Sequence, residues 1–265
     1  MNSKKNNAIG VFDSGIGGLT VLEKLIEMFP NENFVYVADQ GHCPYGTKTA
    51  KEIGDRVEKV SRYLYQQDVK AIVIACNTAS LHIDRARAVV DIDVLSVIYP
   101  TCDRAASLTR NGKVAVIATI ATINSNTYQN LLTEKGKTPV ALACSEFVDF
   151  VETHSLDDPG MDKLVADKFK EFQDTSFDTL IHGCTHFSLL EKSMRKCLPD
   201  GIRYVACGQP TGESLRKLLA EKDLLTDRNT AGSVKIYTTG GVQNAENTMK
   251  WFTAQHEPVQ HVDID

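Results

Sequence analysis

Two cysteines stand in nearly matching contexts, Ile74-Ala75-Cys76-Asn77-Thr78-Ala79 and His182-Gly183-Cys184-Thr185-His186-Phe187. Each follows an apolar run and precedes a helical pattern. A thiol at a helix N-terminus feels the partial positive charge of unpaired amides, which can bring its pKa from about 8.5 into the range of roughly 3.5–7.5. Two thiols that switch near neutral pH suit one task in particular, removing a proton from one face of a carbon while another is delivered to the opposite face. A single base tends to return the proton to the side it left, whereas a thiolate facing a thiol inverts the centre. Asp13 and His186 are candidates to hydrogen-bond a thiol or a substrate ammonium. The backbone N–H groups around Ser14, Asn77, Thr78 and Thr185 are candidates to bind carboxylates.

Each residue also has an ordinary reading. Seven cysteines (Cys43, Cys76, Cys102, Cys144, Cys184, Cys197 and Cys207) form an odd, irregularly spaced set, which reads as free thiols, and a free Cys is most often a small buried hydrophobe. Asp13 and Thr78 are good helix caps, His186 alone reads as a satisfied histidine, and Tyr45 as a packed aromatic. A zinc site from His182, Cys184 and His186 lacks the paired CxxC spacing of structural zinc, so no metal is expected. The segment Gly15-Ile16-Gly17-Gly18-Leu19-Thr20 lacks the third glycine of a dinucleotide fingerprint, although Asp39 ends the second strand where a ribose-binding acid would lie.

The elements that position these residues follow from hydrophobic periodicity. Strands are expected at 8–12, 34–38, 71–75, 94–98, 114–118, 140–143, 179–182 and 234–238. Helices are expected at 19–29, 50–67, 79–90, 104–108, 125–133, 162–172, 189–198, 212–219 and 244–251. Alternation of this kind argues for an α/β fold of βαβ units with parallel sheets. In such sheets ligands bind outside the carboxyl ends of the strands, where Asp13, Pro44-Tyr45-Gly46, Cys76 and Cys184 fall.

A length of 265 residues is comfortable for two domains. The run ending in Pro100 marks one crossing and Cys207–Pro210 the return, which divides the chain into a discontinuous first domain, 1–97 plus 210–265, and a second, 98–209. With 42% hydrophobic and 24% charged residues the composition is that of a folded globular protein. A net charge of −5, with no long Lys/Arg run, argues against nucleic acid as a partner. No signal peptide or bilayer-spanning stretch is evident, so a cytoplasmic location and no membrane association are expected.

At these residues the sequence resembles the glutamate racemases, of the aspartate/glutamate racemase family. Asp13-Ser14-Gly15-Ile16-Gly17-Gly18, Pro44-Tyr45-Gly46, Cys76-Asn77-Thr78-Ala79 and Gly183-Cys184-Thr185-His186 match the family's motifs in order and approximate spacing. Val116-Ile117-Ala118-Thr119, Phe150-Val151-Glu152 and Thr238-Thr239-Gly240 extend the match over nearly the whole chain. The resemblance implies two pseudo-symmetric domains, each a mostly parallel sheet flanked by helices, with the active site in the cleft between them and no cofactor. It implies interconversion of L- and D-glutamate for bacterial peptidoglycan, with Cys76 taking the α-proton from D-glutamate and Cys184 from L-glutamate. Asp13, His186 and Glu152 would assist. Ser14, Pro44, Tyr45, Gly46, Asn77, Thr78, Thr119, Thr122 and Thr185 would bind the small-molecule substrate. Members are often homodimers.

Four places depart from the usual pattern: Phe187-Ser188, Thr101, Ala118 and Ala206-Cys207. They bear on pocket shape and on strictness for glutamate. The rival readings are an aspartate racemase, a thiol hydrolase using Cys184 with His186, which would need only one of the two cysteines, and a module that binds an amino acid without transforming it.

Overall fold

Among the described residues, ten strands form two sheets, and every strand pairing in both is parallel. In chain order they are β1 (Ile9–Asp13), β2 (Phe34–Ala38), β3 (Ala71–Ile74), β4 (Asp93–Ser96), β5 (Lys113–Ala118), β6 (Thr138–Ala143), β7 (Thr179–Gly183), β8 (Arg203–Val205), β9 (Val234–Thr238) and β10 (Gln260–His261). The computed structural model describes residues 3–172 and 176–265. Strands β1, β2, β3 and β7 are buried along their whole length. Continuous apolar runs such as Ala71-Ile72-Val73-Ile74 are what a parallel sheet covered on both faces requires.

The strands belong to two compact units, Met1–Val97 with Gly208–Asp265, and Ile98–Cys207. The sheet of the first runs β10-β9-β2-β1-β3-β4 and that of the second β6-β5-β7-β8. The order β2-β1-β3-β4 thus recurs as β6-β5-β7-β8, and each unit has the α/β class that the alternation predicts. In both, the chain goes out to one side of the first strand and then crosses to its other side. The switch point is therefore between β1 and β3 in one unit and between β5 and β7 in the other.

Helices cover the sheets by burying one stripe. In the helix Ala50–Gln66, Ile53, Val57, Val60 and Leu64 recur at four- and three-residue spacing and are all buried. Each such burial contributes about 1.5–3 kcal/mol. A capping box starts this helix: Glu52 N–H donates to Thr49 Oγ1, and Thr49 N–H to the Glu52 carboxylate at 2.8 Å. A buried ion pair stitches the returning segment into the first unit. Lys70 Nζ lies 2.5 Å from the Glu32 carboxylate and also donates to the carbonyls of Lys5 and Leu224, while Glu32 accepts from Thr226 N–H.

Some elements differ from the periodicity. The helix expected at 104–108 runs Ile98–Leu108, because Pro100 falls in its first turn, where the missing N–H is not needed. The single helix expected at 79–90 is two short ones, Asn77–Ser80 and Ile83–Arg87. The helix Glu146–Thr153 and the strands β8 and β10 escape the periodic reading altogether.

Candidate functional site

Both thiols sit at the switch points. In the first unit Phe12 pairs with Ile74, so the chain leaves β1 through Asp13-Ser14 beside the place where it leaves β3 toward Cys76. In the second Ala118 pairs with Gly183, so Thr119 after β5 and Cys184 after β7 emerge side by side. Topology thus gives each unit one cysteine and a set of polar neighbours at the site where parallel α/β sheets bind ligands.

Cys76 is the N-cap residue of the helix Asn77–Ser80. Its sulfur accepts from Ala79 N–H at 3.4 Å, and its thiol donates to Ser14 Oγ at 3.6 Å. Helix-terminus amides are present as expected, yet they do not win. Burial, followed by the nearby charge of Asp13, pushes the Cys76 thiol well above the usual range against the hydrogen bonds from Ala79 and Ser14. The expectation of a lowered pKa is corrected for this residue: the environment holds Cys76 protonated. Asp13 is fully buried and accepts from Gly18 N–H at 2.7 Å. Gly18 cannot carry a side chain, since a Cβ there would meet Asp13 Cβ at 2.4 Å and Tyr36 Oη at 2.7 Å. Its role is to let the turn close on Asp13. Tyr36 braces the same turn by donating to Gly15 O at 2.7 Å.

The second cluster is built differently. Cys184 Sγ lies 3.7 Å from His186 Nδ1, and His186 Nε2 lies 2.7 Å from Glu152 Oε1. His186 is 2% exposed. Burial opposes its charge, but the bonds to Cys184 and Glu152 outweigh burial and raise the imidazole pKa well above its ordinary value. The result is a buried imidazolium between a thiol sulfur and a carboxylate. The 3-10 turn Thr185–Leu190 makes this possible, placing Thr185, His186 and Phe187 inward together, and the helix Glu146–Thr153 brings Glu152 to the ring.

The remaining predicted residues divide between the clusters. Tyr45 is buried near Cys76, whose charge contributes to raising the phenol pKa, after burial and Asp39. Pro44 precedes it with a cis peptide bond from Cys43, and Gly46 follows in the 3-10 turn Tyr45–Thr47. Asn77 and Thr78 are buried in the turn after Cys76. Cys76 rather than Thr78 takes the capping position there. In the second unit Thr119 caps the helix Ile120–Asn124, and its hydroxyl lies 3.1 Å from that of Thr122. Among the described residues, no three His, Cys, Asp or Glu side chains form a group that could hold a metal ion. No helix among them is long and apolar enough to cross a membrane.

Three residues around the clusters are not among the expected site residues. Asp39 is fully buried and saturated: Arg56 donates to it twice at 2.9 Å, Tyr45 Oη at 2.5 Å and Thr239 Oγ1 at 2.9 Å. That leaves it unsuited to a ribose. Arg56 does have a sequence signal, a charge on the buried stripe three residues after Ile53. Gly183 is the third, as a Cβ there would meet Ile117 O at 2.8 Å and Ala118 Cβ at 2.9 Å. Two of the departures from the family pattern prove to be core residues. Phe187 packs edge-on against Phe147, with centroids 5.4 Å apart, and the Cys207 thiol donates to His182 O at 3.3 Å.

The model of the family described as Asp/Glu/Hydantoin racemase matches residues 9–209. The chain is 37% identical to the glutamate racemase of Mycolicibacterium paratuberculosis over 97% of this chain and 98% of that one. It is 36% identical to the glutamate racemase of Shouchella clausii over 97% and 94%. Among solved structures, a glutamate racemase isoform from Bacillus anthracis is similar at a TM-score of 0.93 and 33% identity, covering 98% of both chains. The glutamate racemase of Francisella tularensis, solved in complex with D-glutamate, is similar at 0.89 and 31%, covering 98% of this chain and 99% of that one.

Proposed function

The chain belongs to the Asp/Glu/hydantoin racemase family, and from its two thiol clusters we propose that it interconverts L- and D-glutamate with Cys76 and Cys184 as the paired acid and base. The observation that carries this reading is the recurrence of a thiol at the same topological point of both units, each with a different charged neighbour. Burial, with the charge of Asp13, keeps Cys76 in the proton-donating form. The His186 imidazolium sits beside the sulfur of Cys184 with a proton to give or hold. The two clusters thus place a thiol beside an acid on one side and beside an imidazolium on the other, the pairing that a two-base inversion uses.

In the L to D direction the Cys184 thiolate takes the α-proton and becomes a thiol. The Cys76 thiol delivers its proton to the other face of the α-carbon and becomes a thiolate. The enzyme is left with its proton states exchanged, ready for D-glutamate, and nothing but a proton has moved. Glu152 fixes the orientation of His186 and sustains its charge, the part a carboxylate plays beside a catalytic imidazole. Ser14 acts on the Cys76 side through its contact with the thiol. Asn77, Thr78, Thr119, Thr122, Thr185 and the backbone of Pro44-Tyr45-Gly46 are the groups assigned to the substrate's two carboxylates and ammonium. D-Glutamate for peptidoglycan is the product's expected use, and a homodimer the expected assembly.

The test is proton NMR with circular dichroism of the purified protein and L-glutamate in heavy water, with no cofactor added and aspartate in parallel. Loss of the α-proton signal together with decay of optical activity, for glutamate alone, is the expected result. Exchange of aspartate instead would overturn the substrate, and exchange of neither would overturn the reaction.

A further inference from the structure

The side chain of Tyr45 does not offer its hydroxyl to a ligand. It donates that hydroxyl to Asp39 at 2.5 Å, and the ring is 1% exposed. What the Pro44-Tyr45-Gly46 segment presents is its backbone, held in place by the ring. Asp39 in turn is held by Arg56, through Nε to Oδ2 and Nη2 to Oδ1, both at 2.9 Å. The guanidinium has one more group to spend, and Nη1 donates to the carbonyl of Ile264 at 2.6 Å, 208 positions away. Ile264 is itself buried in the core that holds Tyr45, Ile53 and Val57. The segment after β9 closes the same ring of bonds, since Thr239 Oγ1 donates to Asp39 and accepts from Gly41 N–H at 3.0 Å.

We propose that Asp39 and Arg56 are positioning residues that fix the Pro44-Tyr45-Gly46 segment for substrate, and that the backbone at Ile264 is the third member of this clamp. The proposal rests on the reading of that segment as part of the glutamate site. A buried ion pair that served stability alone would be replaceable without consequence for the bound ligand. A clamp on a binding segment acts on ligand capture, because a small displacement of backbone groups costs contacts to the substrate. Arg56→Lys keeps the charge and loses the planar fork that spans Asp39 and Ile264 at once. The burden then falls on KM rather than kcat, the mark of lost binding common to ground and transition states.

The experiment combines steady-state kinetics with amide NMR on the full chain. The Tyr45 and Gly46 amide signals are followed as D-glutamate is added to the wild type. KM and kcat are measured for Arg56→Lys, Tyr45→Phe and the double variant. The clamp predicts that Arg56→Lys raises KM about tenfold with kcat within about threefold, an effect of the size that sub-ångström misplacement produces. It also predicts that the double variant is no worse than the poorer single one, since both cut the same chain of contacts. An unchanged KM in Arg56→Lys, or effects that multiply in the double variant, would overturn it. Amides that ignore glutamate would instead overturn the reading of the segment as part of the site. If Arg56→Lys does not fold, Tyr45→Phe alone keeps the Arg56–Asp39 pair and removes only the hydroxyl that ties the segment to it. A KM rise of about threefold is then expected on the same grounds, and no rise would overturn the clamp.

Discussion

His186 and Glu152 meet at 2.7 Å through Nε2 and Oε1, although 34 positions separate them in the chain. The contact orients the imidazole so that Nδ1 points at Cys184, and it supplies the negative charge that keeps the ring protonated in a buried place. Replacing the carboxylate by an amide of the same shape removes the charge and leaves the packing. Glu152→Gln should lower kcat/KM about a hundredfold, the lower end of what acid–base assistance contributes. Because the enantiomers have equal free energy, the loss must be the same in both directions. His186 would also lose its proton at lower pH, so the alkaline limb of the kcat/KM profile should move toward acid. An unmoved limb would separate Glu152 from the chemistry.

The two thiols give the sharpest expectation. Cys76→Ser and Cys184→Ser should each reduce racemisation by at least about a thousandfold, within the range assigned to a positioned acid or base. Far-UV circular dichroism should be unchanged, because serine fits the space of the thiol. A hydrolase that relied on Cys184 and His186 would keep its activity in Cys76→Ser, so this variant also separates the two classes.

His182, two residues before Cys184, lies 0% exposed beside Tyr204, and neither ring nitrogen has a hydrogen-bond partner among the described residues. Burial, partly countered by Glu191, lowers its pKa to about 4. The unfolded chain takes up this proton near pH 6.5, while the folded protein resists until about pH 4. Stability should therefore fall as pH is lowered through that window, by up to about 3 kcal/mol from this residue. Urea unfolding of wild type and His182→Leu at pH 7 and pH 4.5 would expose it, with the variant losing less. Equal losses would mean that His182 is not the group responsible.

Gly183 precedes Cys184 at a point where the backbone of β7 passes against β5. Gly183→Ala should destabilise the protein by about 1–3 kcal/mol, the usual cost of overpacking, and reduce kcat by shifting the thiol. Thermal denaturation read beside activity checks both. Ala118 makes the site stricter, because its own Cβ is one of the atoms a new methyl would strike.

Much of this was open to a reader of the sequence, and the reasons are physical. Runs such as Phe34-Val35-Tyr36-Val37-Ala38 can only be strands buried on both faces, and they fold as such. The two cysteine motifs announce themselves by position, since a reactive residue after a strand and before a turn is placed by topology. What escaped was short or long-range. Three-residue β8 and two-residue β10 carry too little pattern to register, and the eight-residue helix that bears Glu152 is too brief for its periodicity to stand out. Asp39, Arg56 and Ile264 meet only after folding, so no local window contains them. The direction of the Cys76 shift was also hidden, because it depends on burial and on Asp13, 63 positions upstream, more than on the turn that follows it.

The chain interrupts its first unit to make the second, and this has a consequence on the ribosome. Residues 98–207 are continuous and hold all four strands of their own sheet, so they can close as soon as they emerge. The first unit cannot. Its β2 awaits β9, its Lys70–Glu32 pair awaits the carbonyl of Leu224 and the amide of Thr226, and Arg56 awaits Ile264. During synthesis, the half of the molecule made first is thus the half finished last, and β2 remains an open edge for as long as translation takes to supply its neighbour.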